Sequence, residues 1–314
     1  MRHFAFGRTD ACRSRAFMAA GIRLRSVLVA FAIGGAAIAQ STAAEPQSFK
    51  PSTSVVYKVA DVGPKAKDKG PAKLRLHIFQ PAGNQPENRQ PAIVFFFGGG
   101  WVGGDPSQFY PHCAHLAERG MVAISAEYRI AGKHDTTPFE CVADGKSAMR
   151  WVRAHANELG IDPDRIAAGG GSAGGQVAAA TSALPKFNEP GEDTSISAIP
   201  NALVLFNPVF DNGPQGYGYD RIGDQYEDFS PMHNIRHGMP PTIVMLGTED
   251  KLVPVDTARK FQQRMEGLGS RSDLKLYEGA GHGFFNYRNR ENYDATVADM
   301  DGFLESIGYI SKPR

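Results

Sequence analysis

Three residue types that together perform nucleophilic acyl chemistry occur in this chain in the order Ser172, Asp250, His282. Ser172 is the centre of Gly170-Gly171-Ser172-Ala173-Gly174, where the flanking glycines remove side chains that would collide if the backbone doubled back sharply. Asp250 closes Gly247-Thr248-Glu249-Asp250, and His282 stands between Gly281 and Gly283. A serine hydroxyl is a weak nucleophile until a base takes its proton. An imidazole takes it and returns it to the leaving group, while a carboxylate holds the ring in the right tautomer and stabilises the imidazolium. In that division of labour Ser172 attacks, His282 carries the proton and Asp250 orients the ring. Glu249 adjoins Asp250, but neighbouring side chains diverge, so one carboxylate alone can serve the histidine; Asp250 is preferred. The pentapeptide by itself is weak: with 35 glycines in 314 residues, chance produces roughly 0.2 such matches. Its meaning depends on the elements around it.

Those elements must bring three distant residues together. Residues 165–168 read as a short buried strand entering a glycine turn, and residues from 176 onward as a helix. That strand-turn-helix exposes Ser172 in a strained conformation and aims free N–H groups of the helix at a developing oxyanion. Residues 92–97 form an unbroken apolar run, as a strand covered on both faces requires, and end in Gly98-Gly99-Gly100-Trp101. The amides of Gly99 and Gly100, with that of Ala173, are the candidate oxyanion donors. No Lys-Ser/Thr follows to make a phosphate loop, and Gly99-x-x-x-Gly103 lacks dinucleotide spacing.

Further strands are predicted at 54–59, 74–79, 121–126, 202–206, 242–246 and 274–277. Helices are predicted at 108–119, 140–159, 254–268 and 294–307. The alternation predicts an α/β fold with a mostly parallel, doubly wound, eight-stranded sheet and helices on both faces. The ends of such strands share one edge, where ligands bind, so Ser172, Asp250 and His282 meet in one crevice. Residues 45–73 lack a helical period and cannot supply a large cap domain. The excursion from 210 to 237 breaks every period, and its Tyr217, Tyr219, Tyr226 and Phe229 either stack on a substrate or pin the loop to its own domain. Trp101, Tyr217, Tyr219 and Phe284 are the candidate substrate contacts.

The balance of 34 Lys and Arg against 33 Asp and Glu excludes a nucleic-acid partner held by bulk charge. No histidine pair has zinc spacing with a carboxylate on one helix face; His233 and His237 are four apart in a proline-bounded loop, and no metal or other cofactor is expected. Arg2, Arg8, Arg13, Arg15, Arg23 and Arg25 precede an apolar run from Val27 to Ile38. At about 12 residues it is too short to span a bilayer but fits a signal peptide. Residues 1–44 are therefore expected to be a cleaved signal, starting at Met1 or Met18, and residues 45–314 a periplasmic or secreted catalytic domain with no stable membrane insertion. Cys113 and Cys141 then remain, as one disulfide or as two buried thiols.

The motifs Gly98-Gly99-Gly100-Trp101, Tyr128-Arg129, Asp162-Pro163-Asp164-Arg165-Ile166, Gly170-Gly171-Ser172-Ala173-Gly174-Gly175, Asn207-Pro208, Pro240-Pro241, Gly247-Thr248-Glu249-Asp250 and Gly281-His282-Gly283-Phe284 together resemble the α/β-hydrolase superfamily. The resemblance is to its secreted esterases near the hormone-sensitive lipases and the bacterial carbohydrate acetyl and feruloyl esterases. It implies the α/β-hydrolase fold, an acyl-serine intermediate and a small-molecule or polysaccharide ester as substrate. Two departures stand out: Phe97 occupies the place of the histidine that precedes the three glycines in hormone-sensitive lipases, and no N-terminal helical cap is present. Both favour an open crevice, suited to a small acyl group on a bulky polar alcohol, over a buried acyl tunnel. A lipase-like short-chain esterase, an amidase or peptidase of the prolyl-oligopeptidase type and a non-catalytic receptor-like member are the rivals; the last commonly lacks a triad residue.

Overall fold

The computed structural model describes residues 48–67 and 69–312, so the expected signal over 1–44 lies outside the described residues. In chain order the strands are β1 (Thr53–Ala60), β2 (Ala72–Phe79), β3 (Gln90–Phe96), β4 (Val122–Ala126), β5 (Ile161–Gly171), β6 (Ala202–Phe206), β7 (Thr242–Gly247) and β8 (Ser272–Tyr277). The helices are α1 (Tyr110–Glu118), α2 (Ala131–His134), α3 (Pro138–Ala154), α4 (Ala173–Ala183), α5 (Tyr219–Ile222), α6 (Tyr226–Phe229), α7 (Val255–Gly267) and α8 (Arg290–Ser306). The eight strands form one sheet in the order β1-β2-β4-β3-β5-β6-β7-β8. Strand β2 runs antiparallel to both neighbours and every other pair is parallel. This is the α/β-hydrolase arrangement.

Strands β4, β6 and β7 are buried along their whole length and β3 at all but its first residue, which is why they read as unbroken apolar runs. From β3 the chain crosses to β4 on one side, then back past β3 to β5 on the other. Right-handed crossovers in opposite directions put α1 on one face and α3 on the other. The order therefore switches at β3 and β5, and the loops leaving these neighbouring strands open the crevice. On the α1 face, α1 and α8 are tied by Arg119, which pairs with Asp301 and with Glu305 (2.9 Å), and by His115 to Asp301 (2.9 Å).

Strand β5 runs past residue 168, because Gly169 and Gly171 are strand positions vacated for neighbouring rings. A Cβ at Gly169 would lie 2.6 Å from the Phe95 ring, and one at Gly171 2.3 Å from that of Phe285. Helix α3 begins two residues before the predicted start, in a capping box: Phe139 N–H donates to Thr137 Oγ1 (3.3 Å) and Thr137 N–H to Glu140 Oε2 (2.8 Å). It ends at Ala154, where His155 stacks on Trp151 with ring centres 4.0 Å apart. Cys113 in α1 and Cys141 in α3 are buried free thiols separated by the sheet, and burial pushes both thiols up in pKa. Among the described residues no helix is long and apolar enough to cross a membrane.

Candidate active site

Ser172 follows β5 at φ 54 and ψ −121 and stands at the N-cap of α4. A non-glycine residue with such a backbone costs on the order of 1–3 kcal/mol and persists only where its surroundings over-determine it. Here they do. A Cβ at Gly170 would stand 2.4 Å from Gly174 O, and one at Gly174 2.0 Å from Phe96 O and 2.4 Å from Phe97 O. The elbow thus packs backbone against the end of β3, leaving no room for any side chain. Ser172 N–H donates to Phe206 O (3.0 Å), and Val209 N–H donates to Ser172 O (3.2 Å), tying the turn to the end of β6.

Asp250 follows β7 with its carboxylate fully buried. Its Oδ1 accepts the N–H groups of Leu252 (2.8 Å) and Val253 (3.0 Å), and its Oδ2 faces His282 Nδ1 at 2.7 Å. Glu249 is exposed, so the backbone turn itself selects Asp250. The acid and histidine loops are stitched together: Thr248 N–H donates to Tyr277 O (2.9 Å), Glu249 N–H to Ala280 O (3.0 Å) and Gly279 N–H to Thr248 Oγ1 (2.9 Å). On the other side of its ring, His282 Nε2 lies 2.8 Å from Ser172 Oγ. With Nδ1–H donated to the carboxylate, Nε2 keeps its lone pair toward the hydroxyl, the tautomer that proton abstraction needs. The ring remains 23% exposed, open enough for a substrate to reach it.

A fourth residue belongs to this group. Asn207, buried at the end of β6 with φ 34, accepts Gly283 N–H at its Oδ1 (3.1 Å), while its Nδ2 lies 3.4 Å from His282 Nε2. Sequence reading passes it over as an ordinary residue of the Asn207-Pro208 motif. The local signal is an asparagine directly after a buried strand, where the left-handed region favours Asn. Ser172, Asn207 and Trp101 are three of the six described non-glycine residues with positive φ; the first two directly follow β5 and β6, and Trp101 lies in the bend after β3.

The triple-glycine bend curls tightly: Gly99 (φ 131) accepts Val102 N–H (3.1 Å) and Gly103 N–H (3.0 Å), and a Cβ there would lie 2.2 Å from Gly103 O. The Gly98 N–H donates to Gln108 Oε1 (2.7 Å). The N–H groups of Gly99, Gly100 and Ala173 donate to no protein acceptor among the described residues. Phe97, which stands in the place of the hormone-sensitive-lipase histidine, is held by Tyr128. Tyr128 OH donates to Phe97 O (2.6 Å) and the two rings stack at 4.3 Å, so side-chain packing and a carbonyl bond hold the loop.

Two of the four candidate substrate contacts are corrected by burial. Trp101 is 1% exposed: its Nε1–H donates to Gln176 Oε1 (3.2 Å) and its ring packs between Tyr217 and Phe229, so it anchors the bend. Phe284, at 4%, packs on Tyr277 in the core. Tyr219 turns to its own segment, donating to Asp224 Oδ1 (3.1 Å) and meeting the Tyr226 ring. Tyr217 borders the bend, its hydroxyl 2.7 Å from where a Cβ of Gly100 would stand. Arg221 lies over the Trp101 and Tyr217 rings and donates to Gly100 O, docking the excursion onto the bend. Among the described residues no group of three His, Cys, Asp or Glu side chains has metal-binding geometry.

Residues 76–200 match the family model BD-FAE, and residues 217–307 that of the dienelactone hydrolase family. The chain is 44% identical to esterase 2 of Thermogutta terrifontis phosphoramylated by tabun, covering 86% of this chain and 99% of that one with a TM-score of 0.78. The butyrate-bound form of that esterase is 43% identical, covering 83% of this chain and 96% of that one, with a TM-score of 0.76. Esterase LipC of Mycobacterium tuberculosis is 31% identical over 223 residues, 64% of this chain but 55% of LipC, so the chain spans about half the length of that relative. A TM-score of 0.78 at 44% identity and near-complete coverage of the Thermogutta esterase lead to one assignment: the chain belongs to the α/β-hydrolase superfamily, in its esterase branch.

Proposed function

We propose that this protein is a serine carboxylesterase that cleaves short acyl esters through an acyl-Ser172 intermediate. The observation that carries this reading is the continuous contact from Asp250 Oδ2 through His282 to Ser172 Oγ, at 2.7 and 2.8 Å. His282 takes the hydroxyl proton as Ser172 Oγ bonds to the ester carbonyl carbon. The carbonyl oxygen gathers negative charge before the amides of Gly99, Gly100 and Ala173. Collapse expels the alcohol with the proton from His282, and water repeats the sequence to release the acid. The propionate- and butyrate-bound forms of the Thermogutta esterase support a short acyl group.

For the alcohol we propose a polar, carbohydrate-like group carrying acetyl or feruloyl esters. The support is a cleft of about 520 Å³ that reaches Gly98, where a Cβ would lie 3.3 Å from Ser172 Cβ, and that offers Asp105, Ser107 and Arg288 to hydroxyl groups. Export of the enzyme to polymers outside the cytoplasm belongs to the same proposal and rests on the arginine-rich, apolar leader. Ser172→Ala tests the central part: turnover of p-nitrophenyl acetate is expected to fall by roughly 10⁵ to 10⁶ with the fold retained. Retained turnover would remove the assignment. Release of acetate from acetylated xylan, compared with tributyrin, tests the alcohol, and amino-terminal sequencing of the mature protein from cell fractions tests export.

A further inference from the structure

The bend that carries the oxyanion donors and the loop that carries the base come from opposite ends of the catalytic sequence, yet one chain of side-chain bonds joins them. Gly98 N–H donates to Gln108 Oε1 (2.7 Å), Gln108 Nε2 donates to Asn286 Oδ1 (2.9 Å), and Asn286 Nδ2 donates to Gly283 O (2.7 Å). Gly283 N–H in turn donates to Asn207 Oδ1 (3.1 Å), whose own N–H is anchored to Met245 O (2.7 Å) between β6 and β7. Each amide in this series uses its oxygen and its nitrogen at once, in the one orientation that satisfies both neighbours. Flipping either Gln108 or Asn286 would set two donors, or two acceptors, face to face. The strut therefore defines both the direction of the bend and the height of the histidine loop.

We propose that Gln108 and Asn286 are positioning residues that hold the triple-glycine bend and the His282 loop at a fixed separation, so that oxyanion donors and general base act on the same carbonyl at the same time. They touch no reacting atom. Their role is to keep the Gly99 and Gly100 amides registered against the Ser172–His282 pair, which is what stabilises the transition state beyond the bound ester. The inference rests on the esterase reading above, because it presupposes that Ser172 is the nucleophile.

The test is a double-mutant cycle of Gln108→Met, Asn286→Leu and the combination, on the full chain, with p-nitrophenyl acetate. Each single change is expected to lower kcat/KM by roughly 10- to 100-fold, the scale of a displacement of about 1 Å in a positioned group. The double variant is expected to lose about as much as the worse single, because one strut has been cut twice. Inhibition by a trifluoromethyl ketone, which becomes a tetrahedral adduct with a developed oxyanion, is expected to weaken by the same factor as kcat/KM. KM for the ester should stay within about threefold, since ground-state binding does not draw on the strut. Asn286→Leu leaves the Gly98–Gln108 bond intact and carries the test alone if Gln108→Met does not fold. Losses that multiply in the double variant, or a ketone affinity that stays constant while kcat/KM falls, would reduce the pair to ordinary packing residues. Turnover that survives Ser172→Ala would instead overturn the esterase reading; abolished turnover in that variant with unchanged Gln108→Met and Asn286→Leu enzymes would overturn the strut alone.

Discussion

Replacing Asp250 with Asn changes one atom and reverses one hydrogen bond. The carboxylate makes three bonds: Oδ1 takes Leu252 N–H and Val253 N–H at 2.8 and 3.0 Å, and Oδ2 faces His282 Nδ1 at 2.7 Å. An asparagine satisfies the two backbone donors with its single oxygen and so presents its NH₂ group to the imidazole. A donor now faces Nδ1, the neutral ring moves its hydrogen to Nε2, and the lone pair that should take the Ser172 proton is gone. Loss of the correct tautomer in a triad lowers turnover by roughly 10⁴, or about 5.5 kcal/mol of transition-state stabilisation. The fold should be almost untouched, because the buried loop keeps both of its backbone bonds. We expect kcat/KM for p-nitrophenyl acetate to fall by about this factor in Asp250→Asn, with a far-ultraviolet circular dichroism spectrum matching the parent, and Glu249→Gln to be unaffected because Glu249 is exposed. An Asp250→Asn enzyme within tenfold of the parent would refute the reasoning, since the ring would then be oriented by some other group.

Gly174→Ala should be far more damaging than its size implies: the methyl would stand 2.0 Å from Phe96 O and 2.4 Å from Phe97 O, both backbone atoms, so β3 and the elbow must part. A loss of about 3 kcal/mol or more in urea unfolding is expected, and a variant as stable and active as the parent would contradict the packing described. His112 makes the acid stability of the fold testable. It is buried among Phe95, Phe109, Phe206, Phe285 and Tyr293 with neither ring nitrogen bonded among the described residues, and burial lowers its pKa from 6.5 to about 3. The unfolded chain takes up this proton below pH 6.5 while the folded chain resists it down to about 3, so stability is full above 6.5 and declines as pH falls through that window. At pH 4.5 the loss is on the order of 3 kcal/mol. His112→Phe should flatten that decline between pH 7 and 4.5 in urea titrations; an unchanged slope would show that the imidazole is not its source.

Much of this architecture is legible in residue patterns, for physical reasons that vary by element. β6 and β7 announce themselves because both faces are covered, leaving no polar position to break the apolar run. The loops bearing Ser172, Asp250 and His282 are short and glycine-rich, and a parallel sheet delivers their ends to one edge. The glycines at 169 and 171 mislead, since a residue emptied to admit a distant ring looks locally like a turn. Gln108 and Asn286 are invisible for a related reason: the bond between them spans 178 positions and leaves no local period. Trp101 and Phe284 show the converse. An aromatic residue beside a catalytic motif has the same appearance whether it faces a ligand or the core, and here both rings face the core.

The most direct measurement is peptide mapping by mass spectrometry after rapid acid quench of the enzyme with p-nitrophenyl acetate. The account predicts one acetyl group on the peptide containing Ser172, formed during turnover, more abundant when water attack is slowed at low pH, and missing in Ser172→Ala. Turnover with no acyl adduct at Ser172, or an adduct on a different residue that rises and decays at the catalytic rate, would contradict it.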